Sequence, residues 1–167
     1  MCTKGKKLTE KDIDKIELLL DTATMASNAE IHAPDKDHPD WYPVGDPTEA
    51  ALITVSTKLG TRSKKEDKEN PEIKEFPFDS EREMMSSIRQ FDNRKVLCMK
   101  GAIGSVLSVS KYIYKHGKEV KLTKKDTDAL NTLNVEYSQK AMRVLAFGYR
   151  ELKDDEILEC YRNNDPR

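Results

Sequence analysis

"IKEFPFDSEREMMSSIRQFDNRKVLCMKGA", residues 73–102, is where the periodicity of the chain changes. Upstream, apolar residues recur at helical spacing. Here three short runs, "IKEFPFD" (73–79), "EMMSSIRQF" (83–91) and "KVLCMK" (95–100), read as strands. "FDNR" (91–94) supplies turn residues, so the second and third runs are predicted to form a hairpin. "GAIGSVLSVSKYIY" (101–114) predicts a helix leaving the third strand.

On the N-terminal side, residues 8–29 read as an amphipathic helix carrying Leu8, Ile13, Ile16, Leu19, Leu20 and Ala23, with Thr9 and Asp12 as its capped start. "EIHAPDKDHPDWYPVG" (30–45) reads as a loop. "VGDPTEAAL" (44–52) opens a second helix: Asp46 as cap, Pro47 at the first helical position and Glu49 three residues after the cap. That helix is predicted from Pro47 to about Leu59, with an apolar stripe of Ala51, Leu52, Val55 and Leu59 and with Gly60 as its stop. "TRSKKEDKENPE" (61–72) has no core pattern and reads as solvated.

Past the strands, "KHGKEVKL" (115–122) is a connector or a short strand. "TKKDTDALNTLNVEYSQKAM" (123–142) is a helix capped by Thr123 with Asp126 three residues on, and "RVLAFGYREL" (143–152) is a final strand. Helices stand both before and between the strands. The expectation is therefore a single α+β domain over 1–167, built on an antiparallel sheet, with its core at about 8–152.

Composition bounds the function. The chain has 167 residues, 37 % hydrophobic and 35 % charged, with 29 basic and 30 acidic side chains for a net charge of −1. That balance gives no electrostatic case for nucleic acid or an anionic membrane surface. No apolar run approaches the ~20 residues that span a bilayer. Cys2, Cys98 and Cys160 form no CxxC pair, which argues against a zinc ribbon and suits a reducing cytosol. His32 and His38 stand beside Asp35, Asp37 and Asp40, but without calcium-loop spacing, so no metal site is expected there.

GxxxxGK[ST] and GxGxxG are both absent from the sequence, so any nucleotide must be held by other means. In "FPFDSEREMMSS" (76–87), Phe78 stands beside Asp79, Ser80 and Arg82, an aromatic to stack a base and an arginine to meet a phosphate. In "MKGAIGS" (99–105), Lys100 ends a strand and Gly101 allows close approach to the backbone. In "MRVLAFGYREL" (142–152), Arg143 stands at the mouth of an apolar strand.

"GDPTEAAL", "FPFDSEREMMSS", "MKGA" and "MRVLAFGYREL", in that order, resemble the nucleotide-binding domain of P-type cation ATPases, above all the calcium-pump-like group. The resemblance covers roughly residues 8–152 and implies an antiparallel sheet flanked by helix pairs that holds the adenine end of ATP. It implies that Phe78 stacks on adenine and that Glu49, with Thr48 beside it, contacts the adenine edge. Lys100 lies deep in the pocket, Gly101 lets the base sit close, Arg143 reaches the phosphates, and Leu145 lines the pocket two residues on. Ser80 and Arg82 flank the aromatic. Many members carry a lysine where this chain has Glu83, which removes the positive charge a phosphate contact there would use; "KGAIG" also replaces the "KGAPE" of some pumps.

The family's phosphorylated aspartate lies in a DKTGT motif that these residues lack. The resemblance thus implies a cytoplasmic domain cut from an integral membrane pump, monomeric, binding ATP (Mg-ATP in the parent) without hydrolysing it. Its partners are the phosphorylation and actuator domains of the same pump, with no nucleic acid and no direct membrane contact. A free-standing regulatory domain that kept the fold and lost the pump is the alternative.

Overall fold

A computed structural model describes residues 2–3, 6–61, 68–91 and 93–166, and the chain divides into two compact units, residues 1–71 and 72–167. Residues 62–67 of the charged segment 61–72, and Asp92 of the predicted turn, lie outside the described residues. The architecture is α+β with antiparallel sheets, as expected.

In the first unit, β1 (Cys2–Thr3) pairs with β2 (Lys6–Lys7). Helix α1 (Glu10–Met25) starts at Thr9, whose N–H and hydroxyl both donate to the Asp12 carboxylate at 3.2 and 2.7 Å. It ends four residues before the predicted limit. Ser27 and Asn28 follow the cap at Ala26, and the Ser27 hydroxyl donates back to the Ala23 carbonyl, a polar competition that favours helix ends.

The predicted loop 30–45 holds a strand pair instead: β3 (Glu30–His32) runs antiparallel to β4 (Tyr42–Val44), with Ile31 opposite Pro43. The prolines hid it, yet a two-stranded ribbon has edges on both sides where Pro is tolerated. Helix α2 (Pro47–Leu59) keeps its predicted bounds. Asp46 Oδ1 accepts from the N–H groups of Thr48 and Glu49 at 2.8 and 3.1 Å, and Gly60 ends the helix in the left-handed conformation. The buried face is Ala50, Ile53 and Ser56, one position round from the predicted stripe, and it packs near α1 and the β3–β4 pair.

In the second unit, four strands form one antiparallel sheet in the order β10-β7-β6-β5. These are β5 (Glu72–Asp79), β6 (Met84–Phe91), β7 (Arg94–Gly101) and β10 (Ala146–Leu152). The β6–β7 hairpin is as predicted. Phe76, Ile88, Leu97 and Leu152 on the sheet pack with Ile157 and Cys160 of α5 (Asp154–Asn163) to form the core. Each such large apolar side chain taken from water contributes about 1.5–3 kcal/mol.

Helix α5 was not expected, because only Ile157 and Cys160 of "DDEILECYRN" are buried, too few to mark a periodic stripe. The single helix predicted for 101–114 is corrected as well. Helix α3 (Ile103–Val109) stops early, and β8 (Tyr112–Lys115) turns through His116 and Gly117, both at positive φ, into β9 (Lys118–Lys121). The alternation in "KYIYK" is the period-2 signal that a longer helical reading overrode. Helix α4 (Lys124–Gln139) starts at Thr123 with the Asp126 capping box, as predicted.

Candidate functional site

The strand register gathers most of the motif residues of the second unit at one end of the sheet. Asp79 stands opposite Met84, Met84 opposite Gly101, and Gly101 opposite Ala146. Phe78, Lys100 and Leu145 each precede a member of that row by one residue, while Ser80 and Arg82 lie in the turn that joins β5 to β6 at the same end. Arg143 and Leu145 fall in the irregular run just before β10, so the strand predicted for 143–152 starts three residues late.

A bulge sets the face that Phe78 occupies. Phe76 pairs with Ser86 and Asp79 with Met84, so β5 carries one more residue than β6 between these pairs. Pro77 sits inside that interval and has no N–H to give the ladder. Strict alternation would send Phe78 into the core beside Phe76. The extra residue re-aims it, by register, to the face of Met85 and Lys100, opposite the α5 core. Phe78 is 64 % exposed, so it is not the core residue its composition alone would suggest. Lys100 on that same face is 8 % exposed, an unusual degree of burial for a lysine.

The turn itself is tightly organised. Asp79 Oδ1 accepts from the N–H groups of Glu81 and Arg82 at 2.7 and 3.0 Å, and the Asp79 carbonyl accepts from the Glu83 N–H at 2.7 Å. Arg82 folds back, its Nη2 donating to the Pro77 carbonyl at 3.1 Å, while Nη1 is buried with no hydrogen-bond partner. The guanidinium is thus partly engaged within the turn rather than extended for a phosphate. Ser80 and Arg143 are exposed, and Leu145 is half-buried.

Gly101 has a packing reason to be glycine. A Cβ there would lie 2.4 Å from the Glu83 carbonyl oxygen and 2.6 Å from Met84 Cγ. Sequence reasoning assigned that space to a ligand. It also put Glu83 on a strand, whereas Glu83 stands in the turn at φ 53°, its carboxylate accepting from Ser105 Oγ at 2.6 Å. Asp79 was noted only as a neighbour of Phe78, and Ser105 was given no role. The clue for Asp79 was the "DSER" stretch, since Asp before small and polar residues commonly closes a turn on its own backbone.

The motif residues of the first unit are Thr48 and Glu49, both half-buried in the first turn of α2. Glu49 does not complete a capping box with Asp46. Its Oε2 instead accepts from the N–H groups of Asn28 and Ala29 at 2.7 and 3.1 Å, closing the segment that leaves α1. Gly45, just ahead, has φ 102° and would bring a Cβ to 3.1 Å from Ala29 Cα, so this approach suits only glycine.

Among the described residues no group of three or more His, Cys, Asp or Glu is placed to hold a metal ion, and no helix is long and apolar enough to cross a membrane. The geometry therefore defines an α+β domain with an exposed aromatic and a buried lysine on one sheet face, at the sheet end where its sequence motifs converge.

Comparison with known proteins names the class. The sequence profile of the P-type ATPase cytoplasmic domain N matches residues 15–166, and the chain belongs to that family. It is 36 % identical over 151 residues to calcium-transporting ATPase 1 of Lactococcus lactis, covering 90 % of this chain and 16 % of that protein. It is 31 % identical over 137 residues to a calcium-transporting ATPase of Listeria monocytogenes, covering 82 % of this chain and 15 % of that one. Similarity extends to sodium/potassium exporting P-type ATPase 1 of Saccharomyces cerevisiae, 28 % identical over 175 residues and covering 87 % of this chain and 16 % of the relative. The chain thus spans about a sixth of the length of the relatives it matches.

Proposed function

We propose that this chain binds ATP, presenting it to the phosphorylation domain of a calcium-transporting P-type ATPase. The observation that carries the reading is the bulge at Pro77, which leaves Phe78 exposed on the sheet face that also bears the buried Lys100. Adenine is apolar on its faces and polar at its rim, so it needs one aromatic platform and a few placed polar groups. Phe78 supplies the platform, and stacking of this kind is worth roughly 1–3 kcal/mol per base.

Lys100 supplies a cation where water is scarce, with Gly101 next to it. Arg143, exposed at the run-in to β10, faces a polyanion without a desolvation penalty, and Leu145 adds apolar lining. Ser80 and Arg82 shape the turn beside Phe78. The family resemblance also assigns Glu49, with Thr48, to the adenine edge. Magnesium arrives with the nucleotide in the parent pump.

The reading takes residues 1–167 as one ATP-binding domain of a longer, membrane-embedded pump, acting as a monomer with the phosphorylation and actuator domains of that pump as partners. Without a DKTGT aspartate, these residues bind ATP and do not turn it over. An NMR titration with ATP tests this. The expected result is weak, saturable binding with amide shifts centred on Phe78, Lys100, Gly101 and Glu49, and no phosphate release with magnesium. Saturating ATP that moves amides elsewhere and leaves these four unchanged would overturn it.

A further inference from the structure

We infer that Glu83 and Ser105 form a latch that holds the Phe78 turn against the start of α3, which makes both of them positioning residues for the nucleotide site. The inference rests on the nucleotide-binding reading above.

Glu83 is a non-glycine residue at φ 53°. This conformation is sparsely populated for such a residue and persists where the surroundings over-determine it. Here three hydrogen bonds do so. Its N–H donates to the Asp79 carbonyl at 2.7 Å, its carbonyl accepts from the Ala102 N–H at 3.1 Å, and its Oε2 accepts from Ser105 Oγ at 2.6 Å. The first bond belongs to the turn that follows Phe78. The other two belong to the segment that follows Lys100.

Helix α3 gives Glu83 a reason to be there. Its N-cap is Ala102, which makes no side-chain cap bond, and its first turn has no acid of its own. Glu83 supplies from a neighbouring turn an acceptor for the N-cap amide of Ala102, the bond that a third-residue acid makes in a capping box, and a negative charge beside the first turn through Ser105. Gly101 completes the arrangement, since any side chain there would collide with the Glu83 carbonyl.

The corner therefore joins the two motifs that carry Phe78 and Lys100, and loosening it changes the spacing between the adenine platform and the lysine. The same bond directs the Glu83 charge at α3 rather than at a triphosphate.

The test uses the 167-residue chain as parent, with the variants Ser105→Ala, Ser105→Thr and Glu83→Gln, native fold being checked by circular dichroism. Amide hydrogen exchange is read without ligand, and affinities for adenosine and ATP are read by calorimetry. Ser105→Ala is expected to speed exchange at Glu83 and Ala102 and to weaken adenosine and ATP by the same factor, roughly two- to tenfold, the range of a single hydrogen bond. Ser105→Thr, which keeps the hydroxyl, restores both, and Glu83→Gln, which keeps an acceptor, leaves adenosine affinity close to the parent's.

Exchange and affinities unmoved by Ser105→Ala would overturn the latch alone. A gain for ATP but not adenosine in Glu83→Gln would show that Glu83 acts on the phosphates by charge, which also overturns it. A parent that binds neither adenosine nor ATP overturns the nucleotide reading, and the positioning role with it.

Discussion

Glu49 and Ala29 are joined across twenty residues of sequence, the carboxylate accepting from the Ala29 N–H at 3.1 Å and from its neighbour Asn28 at 2.7 Å. The acid proposed for the adenine edge is thus also a structural acceptor. Glu49→Ala is expected to lower stability by about 1–2 kcal/mol, the range for a charged acceptor in a half-exposed setting. Urea denaturation reads that loss, and Glu49→Gln should recover most of it because an amide oxygen still accepts. ATP affinity measured on the same proteins separates the roles: an unchanged value in Glu49→Ala would make Glu49 purely structural.

Phe78→Ala should leave stability within about 0.5 kcal/mol of the parent, because the ring is exposed. Adenosine and ATP should both weaken by about 1–3 kcal/mol, roughly five- to a hundredfold. Calorimetry with both ligands checks this, and adenosine binding at parental strength would remove Phe78 from the site.

Ala141 closes helix α4 in the left-handed conformation at φ 56°. The Met142 N–H donates to the Tyr137 carbonyl and the Ala141 N–H to the Ser138 carbonyl, both at 3.0 Å, the pattern of a Schellman turn. Glycine is the preferred residue there. Ala141→Gly should stabilise the chain by about 0.5–1 kcal/mol, the relief of left-handed strain being partly offset by a freer unfolded chain. A thermal midpoint that falls instead would show that the alanine methyl makes a contact worth more than the strain.

Asp126 ties the start of α4 to β8. Its bond from Lys115, and then its bonds with Thr123, hold its carboxyl down from 3.8 to about 2. The fold favours the charged form, so this contribution is complete above the ordinary value and is lost as pH falls from about 4 towards 2. Asp35, lowered to about 2 chiefly by the Tyr42 hydroxyl, titrates over the same window. The useful quantity is therefore the difference between the parent and Asp126→Asn. Acid titration of helical circular dichroism should show that difference shrinking below pH 4, and a difference independent of pH would refute the assignment.

Much of this was legible in the sequence because local signals and tertiary demands agree. Asp46, Pro47 and Gly60 fixed the bounds of α2, and Thr123 with Asp126 fixed the start of α4. Elsewhere long-range contacts won. Nothing local shows that Glu49 would turn to Asn28 and Ala29, or that Glu83 would leave its strand for Ser105, since each bond spans about twenty residues. The bulge at Pro77 was hidden for the same reason: a register shift is a property of two strands, and only one is visible at a time.

The strand order β10-β7-β6-β5 also sets a timetable for folding. Strands β5, β6 and β7 follow one another in the chain and pair as they emerge, so the loops they close are short. Strand β10 reaches β7 only after α3, the β8–β9 hairpin and α4 have intervened. Until then the edge that carries Lys100 and Gly101 stands open, a row of unpaired amides able to template another chain. Pulse-labelled hydrogen exchange during refolding should protect β6 before β10. During synthesis, the lysine strand of the proposed ATP site is thus the one most in need of a quick partner.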